Sequence, residues 1–158
     1  FELYTNRRLG AKTLICGYAR SKKTDESFRA QIRPYLKGTV ESVDQFLSIC
    51  VYRVGQYHLP KDLAAALGSL GEQTSSSRKE NRMFYMAIPP SRFHVVGKIV
   101  KERGLTTKGW NRVVVEKPFG KDLESYQKLS LGLKRLFREH QLYRIDHYLG
   151  KTGVRRIS

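Results

Sequence analysis

Thr13-Leu14-Ile15-Cys16-Gly17-Tyr18 is an almost unbroken apolar run, and it is followed by Thr24-Asp25-Glu26 and then by Phe28, Ile32, Tyr35 and Leu36. A nearly continuous apolar run of this length reads as a strand buried on both faces, as in a parallel sheet. Thr24 can cap the next helix and Asp25 and Glu26 favour its positive end. The apolar residues after them recur at helical spacing as far as Gly38, which ends the helix. Strand followed by helix is the unit from which parallel sheets with crossover helices are built.

The alternation continues outward from this unit. Val43, Phe46 and Leu47 predict a short helix, residues 49–54 a second strand ending at Gly55, and residues 61–70 a helix with Leu63, Leu67 and Leu70 on one side. Residues 72–81, carrying Ser75-Ser76-Ser77, read as a polar loop. Residues 82–88 are a third strand, stopped by Pro89-Pro90, which can neither donate to a ladder nor continue in the helical region before a second proline. Ser91 opens a helix with a stripe of Val95, Val96, Ile99 and Val100, ended by Gly104. Residues 112–116 are a fourth strand, and Leu123, Tyr126, Leu129, Leu133, Leu136 and Phe137 mark a long amphipathic helix after it. Residues 142–145 form a last strand. No repeat or linker marks an internal boundary. The expected class is α/β: a Rossmann-like, mostly parallel sheet with flanking helices.

A chain of 158 residues suits one compact domain, and 40% hydrophobic residues can furnish a core. No apolar stretch approaches the roughly 20 residues that a helix needs to cross a bilayer, so no membrane partner is expected. Cys16 and Cys50 each sit in an apolar run, where a thiol behaves as a small buried hydrophobe; two such residues make no disulfide framework and fit a reducing, cytoplasmic setting. No metal site is expected. Thirty basic against fourteen acidic residues give +16, which attracts polyanions. The cations are spread along the chain without an aromatic-basic platform. Composition therefore leaves open a solvated basic face, a site for phosphorylated small molecules, or a basic nucleic-acid-binding module.

Two segments carry chemistry. Arg144-Ile145-Asp146-His147-Tyr148-Leu149-Gly150-Lys151 packs an acid, an imidazole, a phenol and an ammonium among apolar residues, a mixture suited to orienting a phosphorylated ligand. Glu116-Lys117-Pro118-Phe119-Gly120 directly follows Val113-Val114-Val115, so Lys117 stands at the C-terminal end of a strand, where open α/β sheets place their ligands. In this order and spacing the two segments resemble the glucose-6-phosphate dehydrogenase family. Gly17-Tyr18-Ala19-Arg20-Ser21, Asn81-Arg82-Met83-Phe84-Tyr85, Ala87-Ile88-Pro89-Pro90 and Gly109-Trp110-Asn111-Arg112 fall where that family has similar segments. The resemblance covers roughly residues 9 to 151.

What the resemblance implies is specific. The chain is expected to be an internal fragment, 1–158 forming part of a dinucleotide-binding domain and 144–158 opening the substrate-binding segment. The first strand and the glycine-rich turn of the family are missing from it, since no G-x-G-x-x-G pattern occurs. The whole protein would be an oxidoreductase of the pentose phosphate pathway that moves a hydride from C1 of glucose 6-phosphate to NADP, giving 6-phosphogluconolactone. It would be a homo-oligomer without a nucleic-acid partner. Arg20 would accommodate the 2′-phosphate of NADP, with Lys22 and Lys23 as possible assistants. Lys117 would reach both substrate and nicotinamide. Asp146 would orient a general-base histidine outside this chain, and His147, Tyr148 and Lys151 would hold the sugar phosphate. From spacing alone, a solvated Arg20, a turn lysine at 117, a helix-capping Asp146, a core-edge His147 and a packing Tyr148 remain open.

His58, His94 and His140 have no motif around them and read as surface or edge histidines. Phe93 stands where many family members have a tyrosine near the cofactor, and Phe119 reads as packing. Residues 152–156 depart from the acidic and apolar continuation usual in the family. Without the helix N-terminal donors of the missing turn, the fragment alone is expected to be inactive and to bind NADP weakly. A non-catalytic nucleotide-binding fragment is the remaining alternative.

Overall fold

The computed structural model describes residues 1–10, 12–71, 80–117 and 122–146, without the side chains of Leu123, Ser125 and Tyr126. The expected loop at 72–81 lies mostly outside these residues. The chain divides at Tyr57 and His58 into two compact units, a boundary that no linker composition announces. Five strands form two sheets among the described residues, β1-β2 in the first unit and β3-β4-β5 in the second, and every pairing within each sheet is parallel.

In the first unit β1 (Ile15–Ala19) pairs in register with β2 (Cys50–Val54), Ile15 opposite Cys50 and Ala19 opposite Val54. A short helix, α1 (Glu2–Thr5), brings Tyr4 to the same ring as Phe1: both lie edge-on against Phe46 of α3 (Val40–Ser48), with centroids 5.5 and 5.3 Å away. Val43, Phe46 and Leu47 bury the inner face of α3 as their spacing predicts. Between the strands runs α2 (Asp25–Ile32), whose Thr24 side chain accepts from the Ser27 N–H while Ser27 returns the favour to Thr24 N–H. The helix stops at Ile32 rather than running to Gly38, because Pro34 has no N–H for the Ala30 carbonyl; residues Arg33–Tyr35 tighten into a 3₁₀ turn and Tyr35 is left 82% exposed. Gly17 admits α2 onto the sheet: a Cβ there would meet the Phe28 ring at 2.9 Å and the Tyr52 ring at 3.1 Å.

The expected double burial of Thr13–Tyr18 is not found on β1, all of whose residues are half-buried, since it has a strand neighbour on one side alone among the described residues. The outer edge of β2 is closed by side chains. Arg29 Nε donates to the Cys50 carbonyl at 2.8 Å, the Tyr52 N–H donates to Asp25 Oδ1 at 2.7 Å, and Arg53 donates back to the Tyr52 carbonyl at 2.7 Å. An edge whose polar groups are taken in this way offers no template for a further strand.

In the second unit β4 (Asn111–Glu116) lies between β3 (Arg82–Met86) and β5 (Leu142–Ile145). Here the doubly buried run appears: Val113, Val114 and Val115 are 0%, 5% and 0% exposed. Val113 and Val115 point with Met86 and Leu142 toward Phe93 and Val100, and toward Leu133 and Phe137, which α6 (Leu123–Leu136) and the residue after it supply. Ahead of β3, α4 (Pro60–Gly71) adds Leu63 to this core.

Helix α5 (Phe93–Ile99) begins after a 3₁₀ turn at Pro90–Arg92 and ends in a π turn, Val100–Gly104, closed by Leu105 N–H donating to the Val100 carbonyl at 3.1 Å. This start shifts the phase of the buried stripe from that expected. Phe93, Ile99 and Val100 are buried and Val96 is half-buried, while Val95 is 40% exposed. Strand β3 stops at Met86, two residues short of the expected Ile88, as Ala87 N–H turns back to the Tyr85 carbonyl. No helix among the described residues is long and apolar enough to cross a membrane.

Candidate functional site

Parallel pairing in register sets neighbouring side chains of one face side by side, and the β4-β5 ladder runs Val113 with Leu142 through Glu116 with Ile145. The next step of that ladder, with Lys117 N–H donating to the Ile145 carbonyl at 3.1 Å, brings Lys117 beside Asp146 at the C-terminal end of the sheet. There Lys117 Nζ donates to Asp146 Oδ2 at 2.8 Å. Two motifs separated by a long helix are thus joined through one ion pair. The Lys117 side chain is 54% exposed and Asp146 21%, so the ammonium keeps a face toward solvent. Pro118, Phe119 and Gly120, like His147, Tyr148 and Lys151, lie outside the described residues.

The opposite face of the same strand end carries a second polar pair. Tyr85 stands opposite Val114, and its hydroxyl donates to Glu116 Oε1 one pleat further along. That hydrogen bond, helped by partial burial, pushes the Tyr85 phenol up to about 12. Glu116 was visible within its motif and Tyr85 within Asn81–Tyr85, yet no periodicity could pair residues 31 positions apart. Arg144 donates to Glu139 Oε1 at 2.7 Å, which holds the Glu139 carboxyl below its usual range. The other terminal nitrogen of Arg144 is buried with no acceptor among the described residues, so it has a donor to offer.

In the first unit Arg20 directly follows β1 and is exposed, its guanidinium carbon 5.6 Å from the centroid of the Tyr57 ring. Lys22 is exposed; Lys23 Nζ donates to Gln31 Oε1 and lies 5.9 Å over the Tyr52 ring. Tyr57 has no motif of its own and is found only because β1 and the turn after β2 are brought together.

The other motif segments make contacts within the fold. Trp110 N–H donates to Asn81 Oδ1 at 3.0 Å, the Asn111 amide bridges the backbone of Thr106 with two 2.8 Å bonds, and Arg112 lies over the Trp110 and Tyr143 rings at 4.3 and 5.6 Å. Phe93 is 1% exposed in the core. His58, His94 and His140 are exposed. Lys101, Lys134, Arg135 and Arg138 line a groove of about 420 Å³ around the C-terminal end of α6, with Lys101 Nζ donating to the Arg135 carbonyl at 3.2 Å. Cations in that position balance the negative end of the helix. Among the described residues no three His, Cys, Asp or Glu side chains gather as a metal site.

Comparison with known proteins bears on this arrangement. Residues 1–156 match the family model described as glucose-6-phosphate dehydrogenase, NAD binding domain. The glucose-6-phosphate 1-dehydrogenase of Ceratitis capitata is 42% identical over 98% of this chain and 30% of its own length. A chloroplastic glucose-6-phosphate 1-dehydrogenase of Solanum tuberosum is 38% identical over 100% of this chain and 28% of its own. A solved glucose-6-phosphate dehydrogenase in complex with its substrate glucose-6-phosphate superposes with a TM-score of 0.86 at 38% identity, covering 99% of this chain and 34% of that one. The chain therefore spans about 30% of the length of the curated relatives it matches.

Proposed function

The chain belongs to the glucose-6-phosphate dehydrogenase family, as part of its NAD-binding domain, and from that premise we propose that it works within an NADP-dependent enzyme that oxidises glucose 6-phosphate at C1 to 6-phosphogluconolactone, in the pentose phosphate pathway. The observation that carries this reading is the Lys117–Asp146 pair at the C-terminal ends of two adjacent parallel strands, where sheets of this class take their ligands. Lys117 binds the sugar there and reaches the nicotinamide side of the cleft. Asp146 holds a histidine from elsewhere in the longer protein in the orientation of a base, as a carboxylate does for an imidazole that removes a hydroxyl proton. His147, Tyr148 and Lys151 take the sugar phosphate.

NADP, when bound, supplies the hydride acceptor. Arg20 fits its 2′-phosphate: the guanidinium is exposed at the end of β1, backed by an aromatic face, and offers planar donors to phosphate oxygens. No glycine-rich turn occurs in this sequence, so the pyrophosphate is held by residues outside it. The sheet pairing supports the same division. In the strand order 3-2-1-4-5-6 the first strand lies between the second and the fourth. With β1 and β2 as strands two and three, β2 is a terminal edge, in keeping with its side-chain closure, and β1 is the edge to which a first strand adds.

We propose 1–158 as part of the dinucleotide-binding domain and 144–158 as the start of the substrate segment, with the full protein a homo-oligomer. A cytoplasmic location agrees with two free thiols, and the chloroplastic relative makes organelle fractionation the test. No nucleic-acid partner is proposed, because the cations around α6 have a helix end to balance. The function is tested in the full-length protein by following NADPH formation from glucose 6-phosphate. His147→Ala and Lys151→Ala are expected to raise the KM for the sugar phosphate at least about ten-fold, the loss expected of a charge-assisted hydrogen bond; unchanged kinetics in both would overturn the assignment.

A further inference from the structure

The Arg20 guanidinium is not left to find its own position. Its carbon lies 5.6 Å from the Tyr57 ring centroid, and that ring is in turn braced by Tyr18, centroid to centroid 6.3 Å at 56°. Tyr18 belongs to β1, two residues before Arg20, and its hydroxyl donates to the Gln56 carbonyl at 3.3 Å. The turn that carries Tyr57 is tied to the same strand end, since Gly55 N–H donates to the Ala19 carbonyl at 3.1 Å. Gly55 is buried, and a Cβ there would overlap the Tyr18 hydroxyl and sit 2.7 Å from its ring carbons, so a side chain at 55 would displace the brace. Tyr18, Tyr57 and Arg20 form a row of side chains built from β1 and the turn after β2, with the cation at its end.

We propose that Tyr57 is a positioning residue for cofactor choice, holding Arg20 where its free edge meets a 2′-phosphate. This rests on the reading of Arg20 given above. An exposed arginine samples many rotamers, and fixing it before the ligand arrives removes part of the ordering cost of binding. An aromatic face does this without competing for the N–H donors, which stay turned to the anion, whereas a carboxylate partner would neutralise the charge. The effect falls on ligands that carry the 2′-phosphate and spares those that lack it.

The test uses the full-length protein with 2′,5′-ADP and 5′-AMP as calorimetric probes, which need no turnover. Tyr57→Leu, which keeps bulk but not the aromatic face, and Tyr57→Ala are expected to weaken 2′,5′-ADP about two- to five-fold, the factor of an exposed cation–π contact, and to leave 5′-AMP unchanged. Tyr57→Phe, which keeps the ring, is expected to retain the wild-type affinity, and with Arg20→Ala in place the Tyr57 substitutions should have no further effect. Equal weakening of both probes, or no weakening of 2′,5′-ADP by Tyr57→Leu while Arg20→Ala does weaken it, would overturn the role of Tyr57. Should Arg20→Ala itself leave 2′,5′-ADP binding intact, it is the assignment of Arg20 that fails.

Discussion

Changing Lys117 to Met in the full-length protein separates a ligand-binding lysine from a structural one, because the structure sets an upper limit on what the side chain can do for the fold. Its ammonium lies 2.8 Å from Asp146 Oδ2 and the side chain is 54% exposed. At that distance two unit charges attract by about 1.5 kcal/mol in water. Ordering the long side chain and screening by salt reduce a solvated pair to roughly 0.2–1 kcal/mol. For a domain of this size, 1 kcal/mol shifts the melting temperature by about 2–4 °C. Lys117→Met is therefore expected to lower the melting temperature by no more than about 4 °C, less at high salt. Contact with the substrate is worth more: losing a hydrogen bond from a charged donor costs roughly 1.5–3 kcal/mol, or about ten- to a hundred-fold in kcat/KM for glucose 6-phosphate. The assay pairs a thermal melt with initial rates of NADPH formation. A variant that melts more than about 6 °C lower while its kcat/KM holds would show that the lysine serves the fold, and the site reading would be refuted.

Two further outcomes concern the fold itself. Phe93→Ala removes a ring that is 1% exposed in the core between β4 and α6, and should cost about 3–5 kcal/mol in urea unfolding; a loss under about 1 kcal/mol would mean that the ring is not packed as described. Burial pushes the Cys16 thiol from 9.0 up to about 11, chiefly by desolvation. Its folded value lies above the unfolded one, so the thiol form supports the fold below pH 9 and that support drains away as pH rises from 9 to 11. At pH 8 Cys16 should alkylate with iodoacetamide roughly 100-fold more slowly than a free cysteine, since the thiolate is the reactive form; labelling at the free rate would place the thiol in water.

The elements themselves were legible because local physics decides them. Residues 142–145 are a strand as read, the Thr24 cap forms, and the Val43, Phe46 and Leu47 stripe is buried, each from hydrophobic period and capping chemistry alone. Where reading along the chain failed, a nearby backbone constraint intervened: Pro34 ended α2 early, and the 3₁₀ turn at Pro90–Arg92 rotated α5 so that Phe93 replaced Val95 in the core. The double burial assigned to Thr13–Tyr18 belongs instead to Val113–Val115. An apolar run shows that a strand can be buried, whereas its position in the sheet determines whether it is.

The site divides in the same way. Lys117, Asp146 and Arg20 were singled out from their motifs and the family resemblance those motifs carry, and the family is as that resemblance implied. That Lys117 meets Asp146, that Tyr85 meets Glu116 and that Tyr57 backs Arg20 could not be read from the chain, because each pair is separated by 29 or more residues. Amino-acid order alone determined which residues could carry charge, cap a helix or end a strand, since those are properties of a side chain and its near neighbours. Only the tertiary structure decided which of them touch, because parallel register, set by whole strands pairing across intervening helices, aligns groups that sequence distance keeps apart.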